Sequence, residues 1–125
     1  MDVDGNRYEL DAVIFATGFN ATDFVTELCI TGVEGKNLVE EWQKKGAEAY
    51  FGISVAGYPN LKFMVGQNTG LGHNSIIVMA EAQMNYIMDY IEKLEESGKG
   101  YFDLKPGVEK QFNVKIQTEM GHNVW

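Results

Sequence analysis

The residues whose types and spacing could serve chemistry are concentrated in one glycine-rich stretch, residues 66–75, which reads Gly-Gln-Asn-Thr-Gly-Leu-Gly-His-Asn-Ser. Its three glycines, Gly66, Gly70 and Gly72, fall within seven residues. Glycine permits left-handed backbone and the close approach of a ligand, so the spacing indicates a tight loop beside a ligand. The pattern before the loop predicts a short buried strand, and the pattern after it predicts a helix that opens at Asn74 or Ser75.

A loop in that position would lie at the carboxyl end of a parallel strand, where open sheets bind their ligands. The helix that follows offers N–H groups without intrahelical partners and the positive end of a dipole. These groups suit a phosphate or an electron-rich ring edge, such as the pyrimidine end of a flavin. A capped loop whose glycines serve only the turn fits the same pattern, and the residues alone leave both interpretations open.

Other chemistries lack the residues that they need. No Gly-Lys-Ser/Thr closes the loop as in a P-loop, and the glycine spacing does not fit the dinucleotide fingerprint. A zinc site needs three or four ligands, whereas Cys29, His73 and His122 lie far apart in the sequence. Ser75 has no Gly-x-Ser-x-Gly context, and the acidic residues are scattered. The sequence therefore predicts neither a catalytic side chain nor a metal site.

The composition is typical of a globular chain, with 125 residues of which 45% are hydrophobic and 22% charged. The net charge of −8 disfavours nucleic acid and anionic membranes as partners, because binding to either depends on an excess of Lys and Arg. No apolar run approaches the roughly 18 residues that a membrane-spanning helix needs. With one cysteine and an acidic, polar N-terminus, a reducing, cytoplasmic location is expected.

Hydrophobic periodicity predicts alternating strands and helices. Residues 12–16 and 61–65 are short apolar runs that lead into a glycine, as buried strands of a parallel sheet do, and Asp4-Gly5-Asn6 is typical of a hairpin turn. Helices are predicted over 38–45, from 74 or 75 to about 96 with a deeply buried first half, and from Pro106 to Gly121. This order predicts an α/β fold, a partial Rossmann-like three-layer arrangement with two or three buried parallel strands, an N-terminal hairpin and long C-terminal helices.

Three segments, in this order, resemble the class B flavoprotein monooxygenases, which comprise the flavin-containing and Baeyer–Villiger monooxygenases. Residues 11–19 read Asp-Ala-Val-Ile-Phe-Ala-Thr-Gly-Phe, residues 57–66 read Gly-Tyr-Pro-Asn-Leu-Lys-Phe-Met-Val-Gly, and residues 68–75 end in Gly-His-Asn-Ser, which is closer to the Baeyer–Villiger branch. The family's upstream FAD and NADP fingerprints are missing from the sequence. The resemblance therefore implies a fragment, with residues 1–125 as a single unit from the C-terminal portion of an FAD-binding domain and residues 99–125 as an appended C-terminal helix.

The same resemblance implies roles for individual residues. Ala16, Thr17 and Gly18 would lie at a strand end near the FAD, and Asn74 and Ser75 would place backbone N–H groups near the flavin ring. The parent enzyme would reduce FAD with NADPH, form a flavin hydroperoxide with dioxygen, and insert one oxygen atom into a ketone or a soft heteroatom. This chain would form one wall of the flavin pocket, with the rest of the FAD and NADP domains as its partners and a small organic molecule as the substrate.

The isolated chain is expected to bind FAD weakly or not at all, to show no turnover, and to self-associate through uncovered apolar surface. A different class of function is a stand-alone small α/β binding or interaction module without catalysis. A flavin disulfide-reductase-like enzyme would share the Ala-Thr-Gly strand, but the Gly-Asp pair usual after its second strand is replaced here by Gly66-Gln67.

Overall fold

The computed structural model describes residues 5–18, 28–70 and 75–120 of the chain. Within these ranges the chain forms three α-helices, α1 (Leu38–Lys45), α2 (Ile76–Ser97) and α3 (Pro106–Met120), and one 3₁₀-helix, Val33–Gly35. Residues 46–70, which follow α1, form a series of turns. These turns carry both the core and the candidate site.

Local signals define α1 at both ends. The Asn37 side chain caps the helix by accepting a hydrogen bond from the Glu40 N–H at 3.2 Å, which satisfies one of the N–H groups left over at a helix start. Gly46, at a φ of 88°, ends the helix and donates its N–H to the Trp42 carbonyl. The prediction of a helix over 38–45 is confirmed.

The long helix α2 is covered along one side only. Apart from the small Ala80, its buried and half-buried side chains recur every three or four positions: Met79, Gln83, Ile87, Tyr90 and Leu94. This is the spacing of one helical face. The predicted deep burial of the first turns is wrong for this chain, because Ile77 is 71% exposed and its neighbours Ile76 and Val78 are also exposed. At the other end, Gly98 adopts the left-handed conformation of a C-cap and its N–H bonds to the Glu95 carbonyl.

Polar side chains attach α3 and the segment before it to the turns. Asp103 accepts the Gly57 N–H with both carboxylate oxygens at 3.1 Å, and Glu109 accepts the Ala56 N–H at 3.3 Å. The buried Asn113 donates from Nδ2 to Glu48 at 3.2 Å. Of the apolar side chains spaced four residues apart on α3, Phe112 and Ile116 are half-buried, whereas Val108 and Met120 are exposed.

The hydrophobic core lies between α1 and the turns that follow it. Its buried members are Leu38, Ala49, Ile53, Val55 and Tyr58, with Ile30, Trp42, Leu61 and Phe63 packed against them. The Tyr58 ring fills this core while its hydroxyl donates to Glu41 at 3.0 Å. Burial, together with the Glu41 carboxylate, raises the pKa of Tyr58 far above its ordinary value, so the phenol stays neutral.

The predicted Rossmann-like fold with buried parallel strands is wrong for this structure. The described residues contain no β-strand and no hairpin, only two isolated antiparallel bridges, Thr31 with Asn37 and Tyr50 with Ser54. Residues 12–16 are exposed, and the hydrogen bond that the structure gives them is local, from Ala16 N to the Ile14 carbonyl at 3.1 Å. A parallel strand takes its hydrogen bonds from neighbouring strands, so a run of strand-like sequence without such a neighbour does not form one.

The second predicted strand, residues 61–65, fails for a more specific reason. The Phe63 N–H does bond to the Ile53 carbonyl at 2.8 Å, but Val65 turns into the left-handed region at a φ of 54°. Its N–H then bonds to the side chain of Gln83 on α2 rather than to another strand. Leu61 and Phe63 pack against the core, as the apolar pattern indicated. The backbone N–H of Val65, however, bonds to a helix side chain instead of a strand.

None of the helices within the described ranges combines the length and the apolar character that crossing a membrane requires.

Candidate functional site

Two turns of similar design meet beside α2. In each, a non-glycine residue in the left-handed region precedes a glycine: Phe51 (φ 52°) precedes Gly52, and Val65 (φ 54°) precedes Gly66. The Gly66 N–H donates to the Gly52 carbonyl oxygen at 3.2 Å. A Cβ built on Gly66 would clash with that same oxygen. Glycine is needed at this crossing because backbone lies directly against backbone.

Gln83 of α2 connects the two turns. Its Oε1 accepts the Val65 N–H at 2.7 Å, and its Nε2 donates to the Phe51 carbonyl at 3.1 Å. The side chain is only 5% exposed, and a buried amide must find partners for both its donor and its acceptor to avoid a penalty of about 1–3 kcal/mol for each unmet group. Gln83 therefore holds the second turn of α2 against two strained stretches of backbone.

A mostly apolar cavity of about 450 Å³ opens next to this connection. Its walls come from the two turns, α2 and α3, and include Phe51, Thr69, Met79, Gln83, Tyr86 and Phe112. Phe51 and Phe112 form an aromatic group with Tyr50, with ring centroids 4.5 to 5.0 Å apart. Burial raises the pKa of Tyr86, so this wall stays neutral. The cavity can take a compact apolar group.

The loop that leaves the second turn contains an unusual buried amide. Gln67 is 2% exposed, yet neither its Nε2 nor its Oε1 has a hydrogen-bond partner among the described residues. Neighbouring Thr69 is satisfied, because its hydroxyl donates to the Gly66 carbonyl. An unmet buried amide is costly, so the donor and the acceptor of Gln67 stand out as groups that the described residues leave unpaired.

The start of α2 offers a second set of polar groups. Ser75 occupies the N-cap position with extended backbone at a φ of −74° and a ψ of 119°, and its carbonyl accepts the Met79 N–H at 3.3 Å. The N–H groups of the first turn have no acceptor within the helix. At the end of a 22-residue helix they lie where the helix dipole is most positive. Exposed apolar side chains at Ile76 and Ile77 flank them.

The five residues predicted for cofactor binding fall in two places. Ala16, Thr17 and Gly18 lie on exposed chain without regular structure, with Gly18 at a φ of 74°. Ser75 is the N-cap of α2, and Asn74 lies outside the described residues. Their assignment to FAD stays a prediction.

Gln83, Phe51 and Gly52 were not among the residues predicted from the sequence. One signal was present: Gln83 sits four residues after Met79 and four before Ile87, so a polar amide interrupts the apolar face of α2. A polar residue at such a position is buried only if it has a fixed partner. Within the described part of the chain, no group of three or more His, Cys, Asp or Glu side chains is arranged to hold a metal ion.

Comparison with known proteins finds similarity to Baeyer–Villiger monooxygenases. No protein-family model matches the chain. The chain is 38% identical over all 125 residues to a Baeyer–Villiger monooxygenase of Pseudomonas aeruginosa, of which it covers 24%. It is 40% identical over 123 residues to a Baeyer–Villiger monooxygenase of Streptomyces coelicolor, again covering 24% of that protein. The chain thus spans about a quarter of the length of the curated relatives that it matches.

A solved structure shows the same fold. The crystal structure of OTEMO in an FAD-bound form superimposes with a TM-score of 0.77, at 24% sequence identity, over 94% of this chain and 22% of that one. The three motifs singled out above therefore occur in a chain that is similar, from end to end, to one region of these enzymes. The whole chain matches the C-terminal region of the Baeyer–Villiger flavoprotein monooxygenases, which confirms the family that its motifs predicted.

Proposed function

We propose that this chain forms one wall of the flavin site in an FAD- and NADPH-dependent monooxygenase. The observation that carries the proposal is the full-length match to about a quarter of two Baeyer–Villiger monooxygenases. The parent protein would place one oxygen atom of dioxygen into a ketone or a soft heteroatom. The other oxygen atom would leave as water, with NADPH supplying the two electrons.

The chain's own residues fit a flavin as a surface rather than as a source of catalytic groups. The first turn of α2 combines N–H groups at a positive helix end with exposed apolar side chains at Ile76, Ile77 and Val78. The isoalloxazine ring of a flavin has apolar faces and an electron-rich polar edge. The exposed apolar side chains would suit the faces, and the N–H groups would suit the edge. FAD would supply the redox and oxygen chemistry when bound.

Specific groups would hold the ring. The backbone N–H groups of Asn74 and Ser75 would face its polar edge, and Ala16, Thr17 and Gly18 would lie near the cofactor. The apolar side chains at the start of α2 would exclude water from the ring. The small organic substrate would then be oxidised beside this wall. The wall would orient the flavin ring and exclude water, and it would supply no acid or base.

A chimera tests this proposal. The chain replaces the region that it matches in the Pseudomonas aeruginosa Baeyer–Villiger monooxygenase, whose unmodified form is the reference. We expect a purified yellow protein that retains FAD and consumes NADPH while converting a cyclic ketone to a lactone. A chimera that folds cooperatively but retains no FAD would overturn the proposal.

Two matched substitutions at Ser75 test the wall itself. The φ of −74° at this residue is compatible with proline, so Ser75→Pro removes the N–H without straining φ at this position. Loss of one hydrogen bond to the cofactor should raise the Kd for FAD roughly tenfold, as measured by quenching of flavin fluorescence. Ser75→Ala keeps the N–H and should leave the Kd within a factor of about two. Equal affinities of the two variants would contradict the assignment.

A further inference from the structure

The apolar cavity beside Gln83 plays no part in the proposed flavin wall. Its described lining residues belong to the two turns, α2 and α3, and on α2 they extend from Met79 to Tyr86. These seven positions correspond to about 10 Å of helix. The cavity volume of about 450 Å³ lies in the range of roughly 300–1,000 Å³ that is typical of small-molecule sites. The cavity is therefore large enough for a molecule of one or two rings.

Two aromatic side chains of the lining favour a flat ligand. The rings of Phe51 and Phe112 have centroids 4.7 Å apart and are inclined to each other by 56°. Tyr50 contacts both of them, at centroid distances of 4.5 and 5.0 Å. Aromatic rings pack best edge to face or offset against further rings. An aromatic ligand therefore gains contacts here that a saturated molecule of the same size does not.

The backbone that carries Phe51 is fixed before any ligand arrives. Phe51 is in the left-handed region at a φ of 52°, and its carbonyl accepts the Gln83 Nε2–H at 3.1 Å. The following Gly52 lies so close to Thr69 that a Cβ on it would clash with the Thr69 methyl group. A wall held in this way loses little conformational freedom on binding, which favours affinity.

The polar groups of the lining select an uncharged ligand. Asn68 and Tyr86 are both exposed lining residues, and neither side chain forms a hydrogen bond with a described residue. Burial raises the pKa of Tyr86, so its hydroxyl stays protonated and can donate. The described lining residues include no Asp, Glu, Lys or Arg, and the net charge of −8 disfavours anions.

We propose that this cavity is a binding site for a flat, uncharged aromatic molecule of one or two rings that carries one hydroxyl or carbonyl group. The rings pack against Phe51 and Phe112, and the polar group forms a hydrogen bond with the Tyr86 hydroxyl. The site goes beyond the proposed function and does not depend on it, because a chain without affinity for FAD can still bind such a molecule.

The first experiment titrates the full chain with beta-naphthol and with its fully hydrogenated counterpart, which keeps the hydroxyl but has no flat rings. We expect saturable NMR shifts at the Thr69 and Met79 methyl groups, with a Kd for beta-naphthol of about 0.1 mM. The saturated alcohol should bind at least roughly tenfold more weakly. Equal affinities, or shifts that do not saturate, would overturn the proposal.

Three substitutions locate the bound molecule. Ala82→Phe fills the cavity from an exposed position of its lining, and Glu92→Phe places the same ring on α2 outside that lining. Ala82→Phe should raise the Kd for beta-naphthol at least roughly tenfold, whereas Glu92→Phe should leave it within a factor of about two. Tyr86→Phe keeps the ring, removes the hydroxyl and should raise the Kd roughly fivefold. Equal Kd values for Ala82→Phe and Glu92→Phe would place the molecule elsewhere and contradict the proposed site.

The same titration of the chimera described above tests the cavity beside the rest of a parent enzyme. We expect beta-naphthol to bind the chimera with a Kd within about threefold of the value for the free chain. Binding by the free chain alone would show that other parts of the parent fill the cavity, which would overturn the proposed ligand site and leave the proposed function intact. A folded chimera that binds beta-naphthol but retains no FAD would overturn the proposed function alone.

Discussion

At Gly66 the backbone of one turn lies against the backbone of another, so a side chain at this position should destabilise the chain. In Gly66→Ala the new methyl group would clash with the Gly52 carbonyl, which is backbone and cannot swing away. Overpacking of this kind costs about 1–3 kcal/mol. We expect the free energy of unfolding in urea to fall by that amount.

The matched control is Gly107→Ala, the same chemical change in the first turn of α3. A Cβ at Gly107 meets nothing within 4 Å, and alanine favours helix over glycine by up to about 1 kcal/mol. Gly107→Ala should therefore leave stability unchanged or raise it. Equal effects at Gly66 and Gly107 would contradict the close crossing of the two turns.

Glu109 makes the stability of the folded chain depend on pH. Burial raises the pKa of its carboxyl, and the carboxylates of Glu48, Asp103 and Glu41 raise it further, against the hydrogen bond from Ala56 N. Because the folded-state pKa lies above the unfolded one, protonation favours folding. The contribution of Glu109 to stability is thus fully present below the ordinary glutamate pKa of about 4.3 and is lost as pH rises through the raised value.

Glu109→Gln should remove this dependence and stabilise the chain near pH 7. The amide oxygen can still accept the Ala56 N–H, and the amide nitrogen takes the place of Glu109 Oε1, a buried oxygen without a partner among the described residues. We expect a gain of about 1 kcal/mol and a flatter profile between pH 4 and 7 in urea unfolding. Glu92→Gln, at an exposed position of α2, should do neither, and a similar gain there would contradict the explanation.

At the scale of elements, the helices could be predicted and the strands could not, for one physical reason. The ends of α1 are determined by the residues that flank it, Asn37 at the start and Gly46 at the end. The conformation of residues 61–65 instead depends on Gln83, 18 positions beyond Val65, and no local pattern announces that partner. Ser75 was placed correctly at the helix start from the sequence, whereas Gln83 was found only in the structure.

The uncovered face of α2 predicts self-association of the free chain. Ile77, Met84, Met88 and Ile91 lie on one side of the helix, next to the covered side, and all four are exposed. A contiguous apolar face of this kind marks an interaction surface. We expect sedimentation velocity to show dimers or larger species, and a shift toward monomer in the double variant Met84→Lys, Met88→Lys.

Asn85→Lys supplies the control, because it adds a positive charge at an exposed polar position of the same helix. It should leave the distribution of species unchanged. A monomeric unsubstituted chain at tens of micromolar, or an equal effect of Asn85→Lys, would show that this face does not drive association.

At the scale of the whole molecule, the amount of exposed surface agrees with the similarity to larger enzymes. The chain exposes 9956 Å², whereas a compact monomer of 14.0 kDa would expose about 6,700 Å². The exposed side chains include large apolar ones in residues 13–15 and at the start of α2. The sequence could reveal the family because its three motifs are local, but it could not reveal the fold of this chain, because strands need partners that the described residues do not contain.

The attachment of α3 has a practical consequence for spectroscopy. The amides of Ala56 and Gly57 each bond to a carboxylate from the far end of the chain, Glu109 and Asp103 respectively. The NMR chemical shifts of these two amides therefore report whether α3 and the segment before it are packed against the turns. Gly57 also accepts the Val33 N–H at 2.8 Å through its carbonyl, so the same short stretch also reports on the 3₁₀-helix that precedes α1.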